Sequence, residues 1–480
     1  MNSIESVNAF EVDDRNGTNR GIESSITSNV SNPFKILASD LANQIFKKKI
    51  KRKGKLKEKY KAEEGGDALM MDAELVRNTT EENFNSNNNN GNGSIANLIR
   101  MNKQHYNNDP HNPDRVWNSI KDKQNFQEPI YSKTGARSPD CTRIVCISDT
   151  HSKHRKVCLP PGDVLIHGGD FTNHGEPSSI KDLCRYFREH SGVFDKIICI
   201  AGNHDVTLHS EYYQKNWKRY HRFKGPFDCE ALENSLKNSC IYLRDSEYTK
   251  NIHNNTSGEE SLQFYGSPWS PFYYDWAFNL VRGGPSQKVW KNIPTSTDVL
   301  ITHGPPLGRG DLTLNNMHVG CSDLLAEVQD RIIPRVHIFG HIHEGYGVTF
   351  DGRTLFVNAS NLDITYQAKN YPIVIDIPHN NNNNNDNTKA AARVVLPDCK
   401  IRNSQDLSNW CKENDYNVLA ALFVEKADKL KGFSFRNNLF APTTHEELAT
   451  QLNIELDIQH MLREVFSKLY AESFPQEIAE

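Results

Sequence analysis

None of the ten cysteines in this 480-residue chain forms a C-x-x-C pair, so a structural zinc of the finger type is not expected. They are scattered from Cys141 to Cys411, and Cys146 and Cys199 sit inside apolar runs where a free thiol acts as a small hydrophobe. A disulfide scaffold is disfavoured, and a reducing, cytoplasmic setting is expected instead. Long apolar runs are missing as well: no stretch is long enough to cross a bilayer. The opening residues, MNSIESVNAFEVDD, carry acids and no apolar signal core, which argues against secretion or organelle import. Net charge is only -4, so any attraction to nucleic acid or anionic membrane has to be local.

Residues 1 to about 135 are polar and Asn-rich, with Asn87 to Asn90 in a row, and a largely disordered extension over 1–135 is expected. Inside it, Phe34, Leu37, Leu41 and Ile45 recur at helical spacing, and the basic run KKKIKRKGKLKEKYK (47–61) follows. The simplest account of that run is a solvated helix end. A nuclear address, or contact with nucleic acid or an anionic membrane, is the alternative.

From Arg143 the character changes. Short β-branched runs appear: RIVCIS (143–148), DVLIHGG (163–169), KIICIAG (196–202), SLQFYGS (261–267), DVLITHG (298–304), RVHIFGH (335–341), TLFVNAS (354–360) and PIVIDIP (372–378). Several are apolar on both faces, as strands covered from both sides must be. Helical stretches fall between them at Ile180 to Arg188 and Ser322 to Val328, the second with Ser322 as its N-cap. Residues 141–397 are thus expected to form one α/β domain, with an Asn-rich loop insertion at 380–389 where added length costs little. Over 398–480 the pattern is helical: Thr444 with Glu447 fits a capping box, and Leu448, Leu452, Leu462, Val465 and Leu469 follow. These helices could pack on the α/β domain, bind a partner protein or pair with themselves.

Five short motifs end or follow the predicted strands. They are S-D-T-H with Asp149 and His151, G-G-D with Asp170, G-N-H-D with Asn203, His204 and Asp205, T-H-G-P-P with His303, and G-H-I-H with His341 and His343. Singly each is weak, since a lone Gly-Asp is usually a turn. Together they put seven oxygen and nitrogen donors of metal-binding type (Asp149, His151, Asp170, Asn203, His303, His341 and His343) beyond strand ends, where α/β sheets place their ligand sites. Residues two apart in extended chain project to the same side, so Asp149 with His151, and His341 with His343, can each aim a donor pair into one cleft. A carboxylate at Asp170 can bridge two cations about 3.5–4 Å apart. The mixed His/Asp/Asn set suits two divalent ions of manganese, iron or zinc better than calcium. Two such ions, less Asp149, Asp170 and a bridging hydroxide, leave roughly one positive charge, suited to a phosphodiester. The hydroxide would then attack phosphorus in line. His204 is the candidate to protonate the leaving oxygen. Asp205 would hold its protonated form, a loop-capping carboxylate being the equal alternative.

The set D-x-H, G-D, G-N-H-D, H and G-H-x-H, in this order, resembles the calcineurin-like metallophosphoesterase superfamily. CISDTH, GDFT, AGNH, YLRDSE, YGSPWSP, AFNLVRG, THGPPLG, VGC and FGHIHEGYG resemble its metallophosphoesterase domain-containing members, relatives of class III cyclic nucleotide phosphodiesterases, from about Thr142 to Pro378. The resemblance implies a four-layer α-β-β-α sandwich of two mixed sheets. It also implies that Asp149, His151 and His343 serve one metal, that Asn203, His303 and His341 serve the other, and that Asp170 bridges them. It assigns the leaving-group role to His204. Some members carry Gly where His341 stands, so the complete set here implies an active enzyme. Asn173 occupies the last position of G-D-x-x-D, where many members have Asp.

Protein phosphatases of the superfamily show G-D-x-V-D-R-G and R-G-N-H-E. The sequence GGDFTNHG and AGNHD lacks those arginines, which clamp a phosphomonoester dianion. The expected function is therefore hydrolysis of a small phosphodiester, a cyclic nucleotide among the candidates. The alternative is a non-catalytic or weakly catalytic scaffold binding nucleotide or phosphoprotein on the same fold. Arg309 could touch substrate phosphate, although a solvated loop arginine is the simpler account. Trp269, Phe272, Tyr273, Tyr274 and Trp276 could stack on a base, with hairpin packing as the default.

Overall fold

Alternation along the strands decides the architecture. In β1 (Cys141–Ile147) every residue is buried, with Ile144 and Cys146 in one apolar cluster and Val145 and Ile147 in another. A strand that buries both faces needs cover on both sides. The structure, a computed structural model, describes residues 111–132, 135, 137–252, 260–379, 390–397, 403–430, 444–452, 454 and 456–474, all within one compact unit, 84–480.

Two six-stranded sheets lie face to face. The first also holds β2 (Val164–His167), β3 (Lys196–Cys199), β4 (Ile241–Tyr242), β13 (Ile373–Pro378) and β14 (Arg393–Val394), in the order β14-β13-β1-β2-β3-β4. The second comprises β5 (Ser246–Ile252), β6 (Glu260–Ser267), β9 (Val299–Thr302), β10 (Val336–Phe339), β11 (Gly347–Phe350) and β12 (Leu355–Asn358), in the order β11-β12-β10-β9-β6-β5. Both are mixed. β1 runs parallel to β2 but antiparallel to β13, and β9 is parallel to β6 and β10 while β5 and β11 are antiparallel. A short ribbon of β7 (Ser270–Pro271) and β8 (Asn279–Leu280) stands apart.

Ile144, Ile166 and Ile198 of the first sheet meet Phe264, Ile301 and Ile338 of the second in the inner core. Each such side chain, fully buried, contributes about 1.5–3 kcal/mol. On the outer face of the second sheet, Leu300, Phe339 and Phe356 pack against Trp290, Leu324 and Val328 of the helices. On the outer face of the first, Val145, Ile147 and Leu165 pack against the helix Pro177–Glu189 through Ile180 and Leu183. Helices, sheet, sheet and helices make the four layers.

The same outer cluster takes in Leu407, Leu419, Phe423, Leu462, Val465 and Phe466 of the C-terminal helices Ser404–Glu413, Asn417–Glu425 and Leu456–Glu472. These helices pack on the α/β domain. Tyr470 pins the last helix: its ring stacks on Tyr371 at 4.4 Å, and its hydroxyl donates to the Pro372 carbonyl at 2.7 Å.

Two local expectations need correction. Within the stretch expected to be largely disordered, residues 113–132 carry structure of their own. Asn112 caps the helix Pro113–Ile120 by accepting from the Arg115 N–H at 3.1 Å, with Pro113 at the first helical position where its missing N–H costs nothing. Val116 and Ile120, one turn apart, then bury against Leu307 and Leu325. The chain runs on to bridge Gln127 to Phe350 and Tyr131 to Val394. Ser322, for its part, is the first residue of the helix Ser322–Glu327 and not its cap; Cys321 holds the cap position, and no side chain satisfies the end. The basic run 47–61 and the Asn-rich insertion 380–389 lie outside the described residues. The strands flanking the insertion, β13 and β14, pair antiparallel.

Candidate metal centre

The candidate ligands sit where strands stop. Just past β1 and β2 the backbone turns left-handed, with φ of 52° at Asp149, 38° at His151 and 53° at Asp170; His341, past β10, has φ 68°. Non-glycine residues rarely adopt such angles, and they persist only where the surroundings impose them. Close approach is secured by glycine. A Cβ on Gly202 would come within 2.5 Å of the Asp170 nitrogen and 2.6 Å of His303 Cε1.

Three overlapping groups of donors result, each with ligand atoms within 4.8 Å of one another: Asp149, His151 and His343; His151, Asp170 and His204; Asp170, His303 and His341. His343 Nε2 lies 3.4 Å from Asp149, and His303 Nε2 lies 3.3 Å from Asp170. Asn203 joins the second side, its Oδ1 3.0 Å from His303 Nε2.

The histidine rings are held from behind. Backbone carbonyls accept from Nδ1 of His151 (Thr172, 3.2 Å), His204 (Asn173, 2.8 Å), His303 (Gly168, 2.9 Å) and His343 (Asp363, 3.1 Å). A carbonyl can only accept, so each Nδ1 carries a proton, which leaves Nε2 of His151, His303 and His343 to serve as ligand. Metal-binding histidines are oriented in this way. Among the described residues His151 Nε2 is buried with no hydrogen-bond partner, 3.9 Å from Asp170, as a ring poised for a cation would be. The residues therefore fit divalent metal.

Electrostatics point the same way. Burial works against ionised Asp149 and Asp170, yet the His343 hydrogen bond and charge at the first, and the His303 charge at the second, hold both carboxyls below their usual range. His343 and His303 respond in kind: burial would lower them, but Asp149 and Asp170 raise each to about 9. Burial pushes His151 and His341 down to about 3. Protons on two imidazoles thus balance two buried carboxylates, a role a cation can take over.

Other predicted residues do different work. Asp205 does not serve the His204 ring. Its buried carboxylate accepts from the Thr172 N–H (2.9 Å), the Thr172 hydroxyl (2.8 Å) and the Gly202 N–H (2.9 Å), tying the G-G-D loop to the G-N-H-D loop. Burial, then Asp170, pushes its carboxyl up to about 7. The Asn173 carbonyl orients His204 instead, so the backbone at this position acts whatever its side chain. Arg309 is not solvated. It is fully buried, 4.0 Å from the Phe126 ring and 4.9 Å from the Phe356 ring, and donates to the Asn125 carbonyl at 2.8 Å. It clasps the segment before β1. Of the aromatic loop, Trp276 stacks on His204 at 4.1 Å, whereas Phe272, Tyr273 and Tyr274 are exposed.

Two contributors carried no sequence signal of their own. The Ser360 hydroxyl, in N-A-S past β12, donates to Asp149 at 3.0 Å, and only pairing beside β10 brings it there. Tyr366 sets its ring 4.7 Å from that of His151.

The comparisons with known proteins agree with this geometry. The Calcineurin-like phosphoesterase family profile matches residues 142–345. Metallophosphoesterase domain-containing protein 1 of Homo sapiens is 46% identical over 248 residues, covering 50% of this chain and 73% of that protein. This chain belongs to the calcineurin-like phosphoesterase family. Within it the chain falls among the metallophosphoesterase domain-containing type: the Mus musculus protein of the same name matches equally, and a UPF0046 protein of Caenorhabditis elegans is 33% identical over 312 residues, 60% of this chain and 75% of its own length. Membership makes the phosphoesterase a hydrolase of divalent-metal type. Among the described residues no helix is long and apolar enough to cross a membrane.

Proposed function

We propose that this phosphoesterase is a dinuclear phosphodiesterase acting on a small phosphodiester, cyclic nucleotides being substrates of suitable charge. The observation that carries this is the overlap of the three donor groups, with Asp170 common to two of them. Such overlap suits two adjacent cations, with Asp149, His151 and His343 on one, Asn203, His303 and His341 on the other, and Asp170 between. Manganese, iron or zinc matches the mixed donor set. Two such ions, when bound, supply Lewis acidity toward the phosphoryl oxygens and activate water as nucleophile.

The chain's own part is positional. Carbonyls hold Nδ1 of four histidines, and Ser360 steadies Asp149. His204, its Nδ1 proton committed to the Asn173 carbonyl, can carry a second proton on Nε2 and deliver it to the leaving oxygen. Fully buried Ala201 and exposed His174 stand where the monoesterase patterns carry arginine, which favours a singly charged diester over a dianionic monoester. Nine described cysteines are free thiols, in keeping with a reducing cytoplasmic setting.

The test is a rate comparison on bis(p-nitrophenyl) phosphate and p-nitrophenyl phosphate with manganese, iron(II) and zinc. Metal-dependent cleavage of the diester, preferred over the monoester and lost in Asp170→Ala and His341→Ala, is expected. Equal rates in all three proteins reject the proposal, and tight AMP binding with no turnover under any metal points to a scaffold.

A further inference from the structure

The helix Ser210–His221 and the three residues after it carry five cations, Lys215, Lys218, Arg219, Arg222 and Lys224, against one acid, Glu211, in a chain of net charge -4. All five are exposed. Residues three and four apart share a helix face, so Lys215, Lys218, Arg219 and Arg222 form one basic stripe. It abuts the tip of the ribbon between β7 and β8. Arg219 donates to the Asp275 carbonyl at 2.9 Å and to that of Tyr274 at 3.4 Å, and its guanidinium lies 5.9 Å from the Trp276 ring. Trp276 in turn stacks on His204. Beside this contact Phe272, Tyr273 and Tyr274 are 55%, 62% and 70% exposed. Three adjacent aromatic rings in water at the end of a cationic stripe are unusual for a surface with no ligand.

We propose that this stripe and the aromatic tip form a track that leads a single-stranded nucleic acid to His204, making an oligonucleotide a substrate of the diesterase. The proposal rests on the diesterase reading above for its chemistry, but its binding part is independent of it. Non-specific single-strand sites combine cations that follow the backbone with aromatic rings on which bases stack. Both are present, and they adjoin the residue expected to protonate the leaving oxygen. Duplex is disfavoured, because its bases are not free to stack on Tyr273 and Tyr274. An anionic membrane is the competing occupant, since cations with exposed Phe223 and Phe272 could also insert at a lipid surface. Arg219 joins the tip to Trp276, and Trp276 stacks on His204; this continuity toward His204 favours a strand over a bilayer.

The experiment measures binding of a fluorescent phosphorothioate oligonucleotide of about 12 nucleotides, a length typical of single-strand grooves, to the metal-loaded full chain across a salt series. Lys215→Glu/Lys218→Glu/Arg222→Glu is expected to weaken binding at least tenfold. It should also make the slope of log K against log salt shallower by about 2, from roughly 0.7 per lost phosphate contact. Tyr273→Ala/Tyr274→Ala should weaken it about tenfold with an unchanged slope. Neither variant touches the donor cluster, so rates on bis(p-nitrophenyl) phosphate should stay within twofold. Equal affinity and slope in wild type and the triple variant overturn the track. So does a triple variant that loses only its binding to phosphatidylserine vesicles. If wild type binds the oligonucleotide as expected but cleaves no diester, the track is upheld and the diesterase proposal falls alone.

Discussion

The inter-sheet core and the loop cluster above it are built from the same strands, yet they hold opposite kinds of free energy. Between the sheets, Ile144, Ile166, Phe264 and Ile301 bury apolar surface in ordinary extended backbone. Two or three residues beyond the strand ends, Asp149, Asp170 and His341 take left-handed backbone, and two buried carboxylates each face a histidine. The core stabilises the fold and the cluster draws on that stability. The difference teaches that left-handed backbone and buried charge can persist at this cluster because the sheets beneath it are rigid enough to hold them.

The comparison sharpens first at His204. With an alkyl diester, whose leaving oxygen needs a proton, His204→Ala should lower kcat by about 10²–10⁴-fold. With a nitrophenyl diester the loss should be far smaller. A single-turnover series across leaving groups measures this, and equal losses would remove His204 from the acid role. Next comes the core. Phe264→Ala should cost about 3–5 kcal/mol in urea unfolding while leaving metal affinity nearly unchanged. A large drop in metal affinity would show that core and cluster are one mechanical unit.

Ser360→Ala makes the converse case. It should weaken metal binding about 10–100-fold in a chelator competition and hardly move the melting temperature of the metal-free protein. A further effect is confined to acid. Burial holds His167 and His337 at about 3, below the unfolded value near 6.5. Between those values the unfolded chain binds protons that the native one refuses, so stability falls as pH drops from about 6.5 toward 3. The slope is about 1.4 kcal/mol per pH unit for each such histidine. His303 and His343, raised to about 9, are protonated in both states there and add no slope. His337→Gln should flatten the acid limb of a stability-against-pH curve by one histidine's share; an unchanged limb would mean that His337 is protonated in the fold.

The strands and their order of appearance were legible because burial on both faces leaves continuous β-branched runs, and Asp149, His151, His341 and His343 because two-residue spacing aims donors together. Ser360 was not, since N-A-S after a strand has no local mark of its partner. Asp205 was ambiguous for a related reason. Its sequence neighbour is His204, but its hydrogen bonds go to Thr172 and Gly202, an attachment only the approach of two loops creates. The helix Pro113–Ile120 had a readable start in Asn112-Pro113 and a readable face in Val116 and Ile120, masked by the polar stretch before it.

By itself the sequence determined which residues could be donors, which segments would be strands, and that a finger or disulfide framework is not expected, for these follow from residue chemistry and short-range period. Tertiary structure alone decided that the C-terminal helices cover the first sheet, that Arg309 grips Phe126, and that Trp276 lies on His204. Each is a meeting of surfaces far apart in the chain, and such meetings depend on the shape complementarity of whole layers, which no local pattern encodes.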